Sequence, residues 1–284
     1  MNHRNRTLSK RCIGALGMCA ALWLAACGNE NSVSPTTMAT PTTDTVTSTT
    51  TNPCVAPFLE GCNLYGRDFT GAYLEQANLR GADLRGAKLS EIHAFQTVFE
   101  DALLEDANLR GANLAQADFG KAFLVGAILD GANLAWCQFE DADLSAASLI
   151  GANGPANFER ASLGSASLDK FVGGGNFKDA KMDNAYGIDG DFADSTFDGA
   201  DLNDANMTNA SFKEATFVGA NLSYANFSGA DLTNANLTGA DLTGTSFSGA
   251  DLTNADLTGA KTTGTSFFNA KLDGAKMPAG WKAP

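Results

Sequence analysis

Residues 221–260 read NLSYANFSGADLTNANLTGADLTGTSFSGADLTNADLTGA, with Leu or Phe at every fifth position from Leu222 and Ala two places before most of them. An α-helix advances about 100° per residue, so a spacing of five turns each large residue by roughly 140° from the last, and no amphipathic face forms. A straight strand alternates faces with period two, so Leu222 and Phe227 would point to opposite sides of it. What remains is a chain that bends in the same sense after every five residues, so that the large residue and the Ala before it face one shared axis. That is a solenoid.

The other positions of the unit agree with this reading. Asp or Asn stands just before the large residue, Thr or Ser just after it, then Gly or Asn at the corner. Corner residues of that kind tolerate the backbone angles of a tight turn. The run A-D-L-T-N from Ala230 to Asn234, followed by A-N-L-T-G and A-D-L-T-G, resembles the consensus of the pentapeptide-repeat family, from about residue 57 to residue 277. The resemblance implies an all-β fold, a right-handed four-sided β-helix of about twenty residues per coil. On that geometry Leu222, Leu242 and Thr262 stack at the roughly 4.8 Å spacing of paired strands, and about eleven coils make a rod on the order of 50 Å long.

The sequence divides into three stretches. Residues 1–26 carry Arg4, Arg6, Lys10 and Arg11, then an apolar run from Cys12 to Ala26, too short to span a bilayer comfortably and arranged as an export signal. Its end, Leu24-Ala25-Ala26-Cys27, resembles the bacterial lipobox, which implies cleavage before Cys27 and acylation of that residue. More than one acyl chain is what stable anchoring requires. Gly28 follows, where in lipoproteins an Asp commonly retains the protein at the inner membrane, so outer-membrane sorting is expected in a cell with two membranes. Residues 27–53 are rich in Thr, Ser and Pro and nearly free of apolar side chains, a disordered tether with a reach of about 25–30 Å. Residues 54–284 form the repeat domain, closed by a short C-terminal stretch in which Trp281 is placed to cover the last open coil.

Cys54 and Cys62 flank the first units, and in an exported protein the pair reads either as a disulfide locking the first coil or as two buried thiols. Cys137 replaces an inward Ala and reads as a small core residue. The step of five holds from Leu64 to Leu149, apart from Ala94. It then slips: Leu149 to Phe158 and Leu168 to Phe177 are each nine residues where two units need ten. The slips lie nineteen residues apart, so the shortened sides should stack. Both carry breakers, Gly154-Pro155 and Gly173-Gly174-Gly175, which forecasts a dent on one face, either a binding notch or a neutral deletion absorbed by glycine.

Chemistry-bearing groups are few. The chain has 19 Lys+Arg against 32 Asp+Glu, a net charge of −13 that becomes −17 without the four cations of residues 1–26. Such acidity disfavours nucleic acid as a partner. His93 is the one histidine after the signal, in an outward position, and no nucleophile elbow or phosphate loop is present. No catalytic, cofactor-binding or metal-ligating residue is assigned and no small-molecule substrate is expected. Eleven acids between Asp189 and Thr258 face Lys213 alone, and Asp231 and Asp251 should be neighbours whose repulsion needs solvent or a cation. Outward apolar residues Phe95, Val98, Leu103, Phe123, Val125, Ile128 and Ile150 suggest an interaction surface, unless irregular coils near Ala94 tuck some inward. Two functions follow. One is a non-enzymatic, lipid-anchored envelope rod that binds an unidentified protein or serves as a structural element. The other, taken from the resemblance, is a DNA mimic acting on a type II topoisomerase, which the export signal disfavours.

Overall fold

The computed structural model describes residues 56–282. Cys27, Cys54 and the tether lie outside the described residues. Within them, outside two shortened corners, the units repeat one backbone motif. Around Leu79, the Ala82 N–H donates to the Leu79 carbonyl at 3.0 Å, closing a four-residue turn in which Gly81 takes φ +62°. A positive φ at the third residue makes it a type II turn. Gly and Asn are not alone at this corner. Gln96 (φ +56°), Lys121 (φ +57°) and Trp136 (φ +63°) are there too, each at a cost of about 1 kcal/mol for a side chain in the left-handed region. The corner N–H also bonds to the next coil, as Gln96 does to the Ala115 carbonyl at 3.0 Å, and that pairing holds the strained angle in place.

The residue before the large one locks the same turn. Oδ1 of Asp251 accepts from the Thr253 N–H at 3.0 Å and from its hydroxyl at 2.5 Å, and Asn236 does the same for Thr238. A short side chain that accepts from the backbone two residues on is the reason Asp or Asn precedes Leu, with Thr or Ser following it.

Coils stack by parallel pairing at four points per coil, one per side, which gives the four-sided β-helix. Phe58↔Asn78 begins one column of pairs, Asn63↔Asp83, Asp68↔Lys88 and Tyr73↔His93 the other three. The four faces are named here by Val98, Phe123, Ile128 and His93. Partners are twenty residues apart up to Asn133↔Asn153, nineteen apart from Gln138↔Asn157 to Val172↔Asp191, and twenty apart again from Asn176↔Thr196. The expected stacking of the two shortened sides is observed: β1 (Ala156–Asn157) pairs in parallel with β2 (Gly175–Asn176). Among the described residues there is no helix.

Inside, the large residues meet on the axis. Leu222, Leu237 and Leu252 are fully buried, with Ala beside them. Seven phenylalanines, Phe99, Phe119, Phe139, Phe158, Phe177, Phe197 and Phe217, stack ring on ring with centroids 4.6–5.0 Å apart. The strand spacing sets that distance, so identical residues at equivalent positions must stack nearly parallel. One core aromatic falls outside the period of five: Phe171 sits where the neighbouring coil has the inward Ala152, and it is fully buried. It finds room because Gly154 and Gly173 hold the large-residue position on that side, and its ring stacks on Phe192 at 5.6 Å. Phe95 and Val98 remain on the outside, half-buried, and Ala94 keeps its inward place, so the tucked-in alternative does not hold. At the far end Trp281 sets its edge against Phe267, centroids 5.8 Å apart, as its position suggested.

Candidate interaction surfaces

The structure does not gather the seven outward apolar residues into one surface. Leu103 and Phe123 pair directly on one face, with Phe123 45% exposed, and Val125 follows at the adjoining corner. Val98 belongs to the preceding face and Ile128 to the following one, while Phe95 and Ile150 lie at other corners. The reason is the period itself: a step of five moves a residue one face on, and only multiples of a coil return it. Leu103 and Phe123, twenty apart, meet that condition.

Asp231 and Asp251 pair on the His93 face, the one opposite Phe123. Their repulsion is relieved by lysines rather than by water alone. Lys213 reaches Asp231 at 3.2 Å and Lys271 reaches Asp251 at 2.8 Å. Lys261 and Lys276 do the same for Asp241 at 3.0 Å and Asp256 at 2.8 Å. Three of these lysines lie just past Thr258, one coil above their acids, so a count stopping there overstates the free negative charge. The Lys271 ammonium, helped by the Thr253 hydroxyl and N–H, lowers the Asp251 carboxyl to about 2, and Lys276 with Thr258 does likewise for Asp256. Among the described residues no group of three or more His, Cys, Asp or Glu side chains is placed to hold a metal ion.

His93 lies flat on Tyr73, rings 4.4 Å apart and 7° from parallel, as an outward rung. Cys137 is fully buried and its thiol donates to the Leu114 carbonyl at 2.9 Å. Burial pushes that thiol up to about 12, which leaves it inert. Cys62 is buried and disulfide-bonded.

A feature foreshadowed only as a dent lies at the corner between the His93 and Val98 faces. In each shortened coil one residue, Pro155 or Gly174, does the work of two at the corner. The corner column therefore recedes over two successive coils, leaving an open groove of about 430 Å³. Trp136 bounds it below and Asp194 above, both at full corners with positive φ. Trp136, which lines the groove, is not among the residues that the sequence singles out. Its signal is there, an indole at a position that elsewhere holds mostly Gly or a polar residue, Tyr224 being the other aromatic among the described residues.

Eight copies of the pentapeptide-repeat family model match the chain, at residues 59–93, 96–131, 107–145, 127–153, 191–229, 210–249, 220–259 and 245–278, together more than half of its length. The gap between 153 and 191 holds the two shortened corners. HetL, a pentapeptide repeat protein involved in heterocyst differentiation regulation from the cyanobacterium Nostoc sp. strain PCC 7120, is 34% identical, with 78% of this chain and 92% of HetL covered and a TM-score of 0.62. Full-length QnrB1, a plasmid-mediated fluoroquinolone resistance protein, is 17% identical, with 76% and 93% covered and a TM-score of 0.29. Among curated proteins no match was found. With its repeat, its four-sided coils, the family-model matches and the likeness to HetL in agreement, the chain belongs to the pentapeptide-repeat family.

Proposed function

We propose that this protein is a non-enzymatic lipoprotein of the cell envelope, acylated on Cys27, whose rod presents a surface to a protein partner. The observation that carries the contact is the Leu103–Phe123 rung, two large apolar side chains paired on the outside with Val125 beside them. Solvent-facing apolar groups of that size give a partner something to bury, whereas charged rims mainly affect encounter. The lipobox Leu24-Ala25-Ala26-Cys27 supports the anchor, and the Thr/Ser/Pro-rich tether gives the rod room to search. For Cys62 we infer Cys54 as the bonded partner. Outer-membrane placement in a two-membrane cell follows from Gly28 after the acylated residue.

A DNA-mimicking role against a type II topoisomerase is the weaker reading. Mimicry needs a continuous anionic surface, and Lys213, Lys261, Lys271 and Lys276 each cover an acid in the more acidic half. Crosslinking in intact cells, with Phe123→Ser and Asp251→Asn alongside, separates the readings. Loss of the trapped partner in Phe123→Ser alone is expected; equal trapping by both variants would overturn the apolar contact. Fractionation with labelled palmitate tests the anchor independently. Cys27→Ser should lose label and leave the membrane, and full retention there would sink the lipoprotein assignment.

A further inference from the structure

Trp136 is 65% exposed and holds φ +63°. Tyr224, 63% exposed at φ +61°, shows that the rod tolerates an exposed aromatic at such a corner, so what sets Trp136 apart is its place beside the receded column. The indole stands at the foot of a corner that is one residue short in each of two successive coils, a feature found at no other corner among the described residues. From Trp136 to Asp194 is three coil steps, roughly 14 Å at the spacing of paired strands. Between them the floor is Ala156, Gly174 and Gly175. A Cβ on Gly174 would come within 2.7 Å of the Ala193 carbonyl oxygen, and one on Gly175 within 2.9 Å of that of Ala156, so the floor stays bare.

The wall is polar and ordered. Asn157 Nδ2 donates to Gln138 Oε1 at 3.1 Å, and Asn176 Nδ2 donates to Asn157 Oδ1 at 2.9 Å. These bonds set the direction of the amides. No Lys or Arg lines the groove, and Asp194 contributes a carboxylate.

We propose that this notch binds a neutral glycan, with one pyranose ring laid on the Trp136 indole. A pyranose has a face of C–H groups that suits an aromatic plane and a rim of hydroxyls that both donate and accept, matching amides and a carboxylate. An anionic ligand would meet Asp194 with no cation to offset it. A wholly apolar ligand would cover the Asp194 carboxylate without satisfying it. The site is separate from the Leu103–Phe123 rung and stands whether or not the rod holds a protein there.

Calorimetric titration of the full chain with chitotetraose and cellotetraose tests the assignment, with Trp136→Gly and Asp194→Asn alongside. Saturable binding of at least one sugar is expected, about tenfold weaker or more in Trp136→Gly and about threefold weaker in Asp194→Asn. Thermal unfolding of Trp136→Gly should be unchanged or higher, because glycine relaxes the corner; Trp136→Asn, which also tolerates positive φ, serves if the glycine variant does not fold. No heat from either sugar, or equal binding by the wild type and both Trp136 variants, would overturn the proposal. So would Trp136-dependent binding of a proline-rich peptide without any response to sugar, which would make the notch a peptide groove.

Discussion

Thr97, Cys137 and Ser195 share one column of inward positions that elsewhere holds mostly Ala, and each turns its polar atom to the backbone. Thr97 donates to the Leu74 carbonyl at 2.6 Å, Cys137 to that of Leu114, and Ser195 accepts from the Gly175 N–H at 3.0 Å. A buried hydroxyl or thiol is tolerated because a carbonyl or N–H is within reach at that depth. Cys137→Thr should therefore melt within about 2 °C of the wild type, while Cys137→Ala should lose about 1 kcal/mol in urea titration through the missing bond. Leu237 has no such partner: it is fully buried on the axis, and Leu237→Asp should cost several kcal/mol and leave no cooperative transition. A different residue-scale test concerns Asp251, whose carboxyl is held at about 2 when folded. A depressed folded value means that its contribution is present above the ordinary carboxylate range and is lost as pH falls from about 4 toward 2. Lys271→Gln should move the Asp251 titration upward in a carboxyl-detected NMR series and shrink that acid-dependent loss; an unmoved titration would show the ammonium contributes nothing.

The element that distinguishes this rod from a uniform one is the pair of shortened corners. β1 and β2 stay in register because both coils lost a residue at the same side, so either deletion alone would face a full corner. Inserting one Asn after Pro155, or one after Gly174, should each lower the midpoint of unfolding by several degrees. Both together should recover part of the loss, since the coupling lies between directly paired segments. Additive losses would mean that the corners are independent. The same element shows what the sequence could and could not disclose. The period of five displayed the inward Leu and Phe positions, and two nine-residue gaps displayed the slips, because both are spacings along the chain. Phe171 stayed hidden because it stands in an Ala position, and only the vacancy left by Gly173 on the same side of the coil explains it. The lysine pairing of Asp241, Asp251 and Asp256 was missed by counting charge in a linear window when the relevant neighbour is one coil away. Trp136 was passed over because exposed corners carry any polar residue, and the groove above it exists only once the coils are stacked.

At the scale of the whole rod, each coil touches only the coils before and after it, so stability is close to a sum over coils and their contacts. What matters for a deletion is then the phase in which the chain resumes more than the number of residues removed. Excising residues 226–245 joins Ala225 to Ser246 in frame, sets Phe247 over Met207 and Leu252 over Phe212, and leaves the Lys271–Asp251 and Lys276–Asp256 rungs intact. Excising residues 226–242 removes fewer residues, yet it returns Phe247 three positions late and strands Thr243, Gly244 and Thr245 as a loop at one corner. The larger deletion should keep the β-type circular dichroism and a single cooperative melt, lowered by the loss of one coil. The smaller should melt several degrees below it, with broader onset and greater susceptibility to protease near residue 243. If the order of the two midpoints were reversed, length rather than phase would govern this solenoid, and the coil-by-coil account of its stability would have to be abandoned.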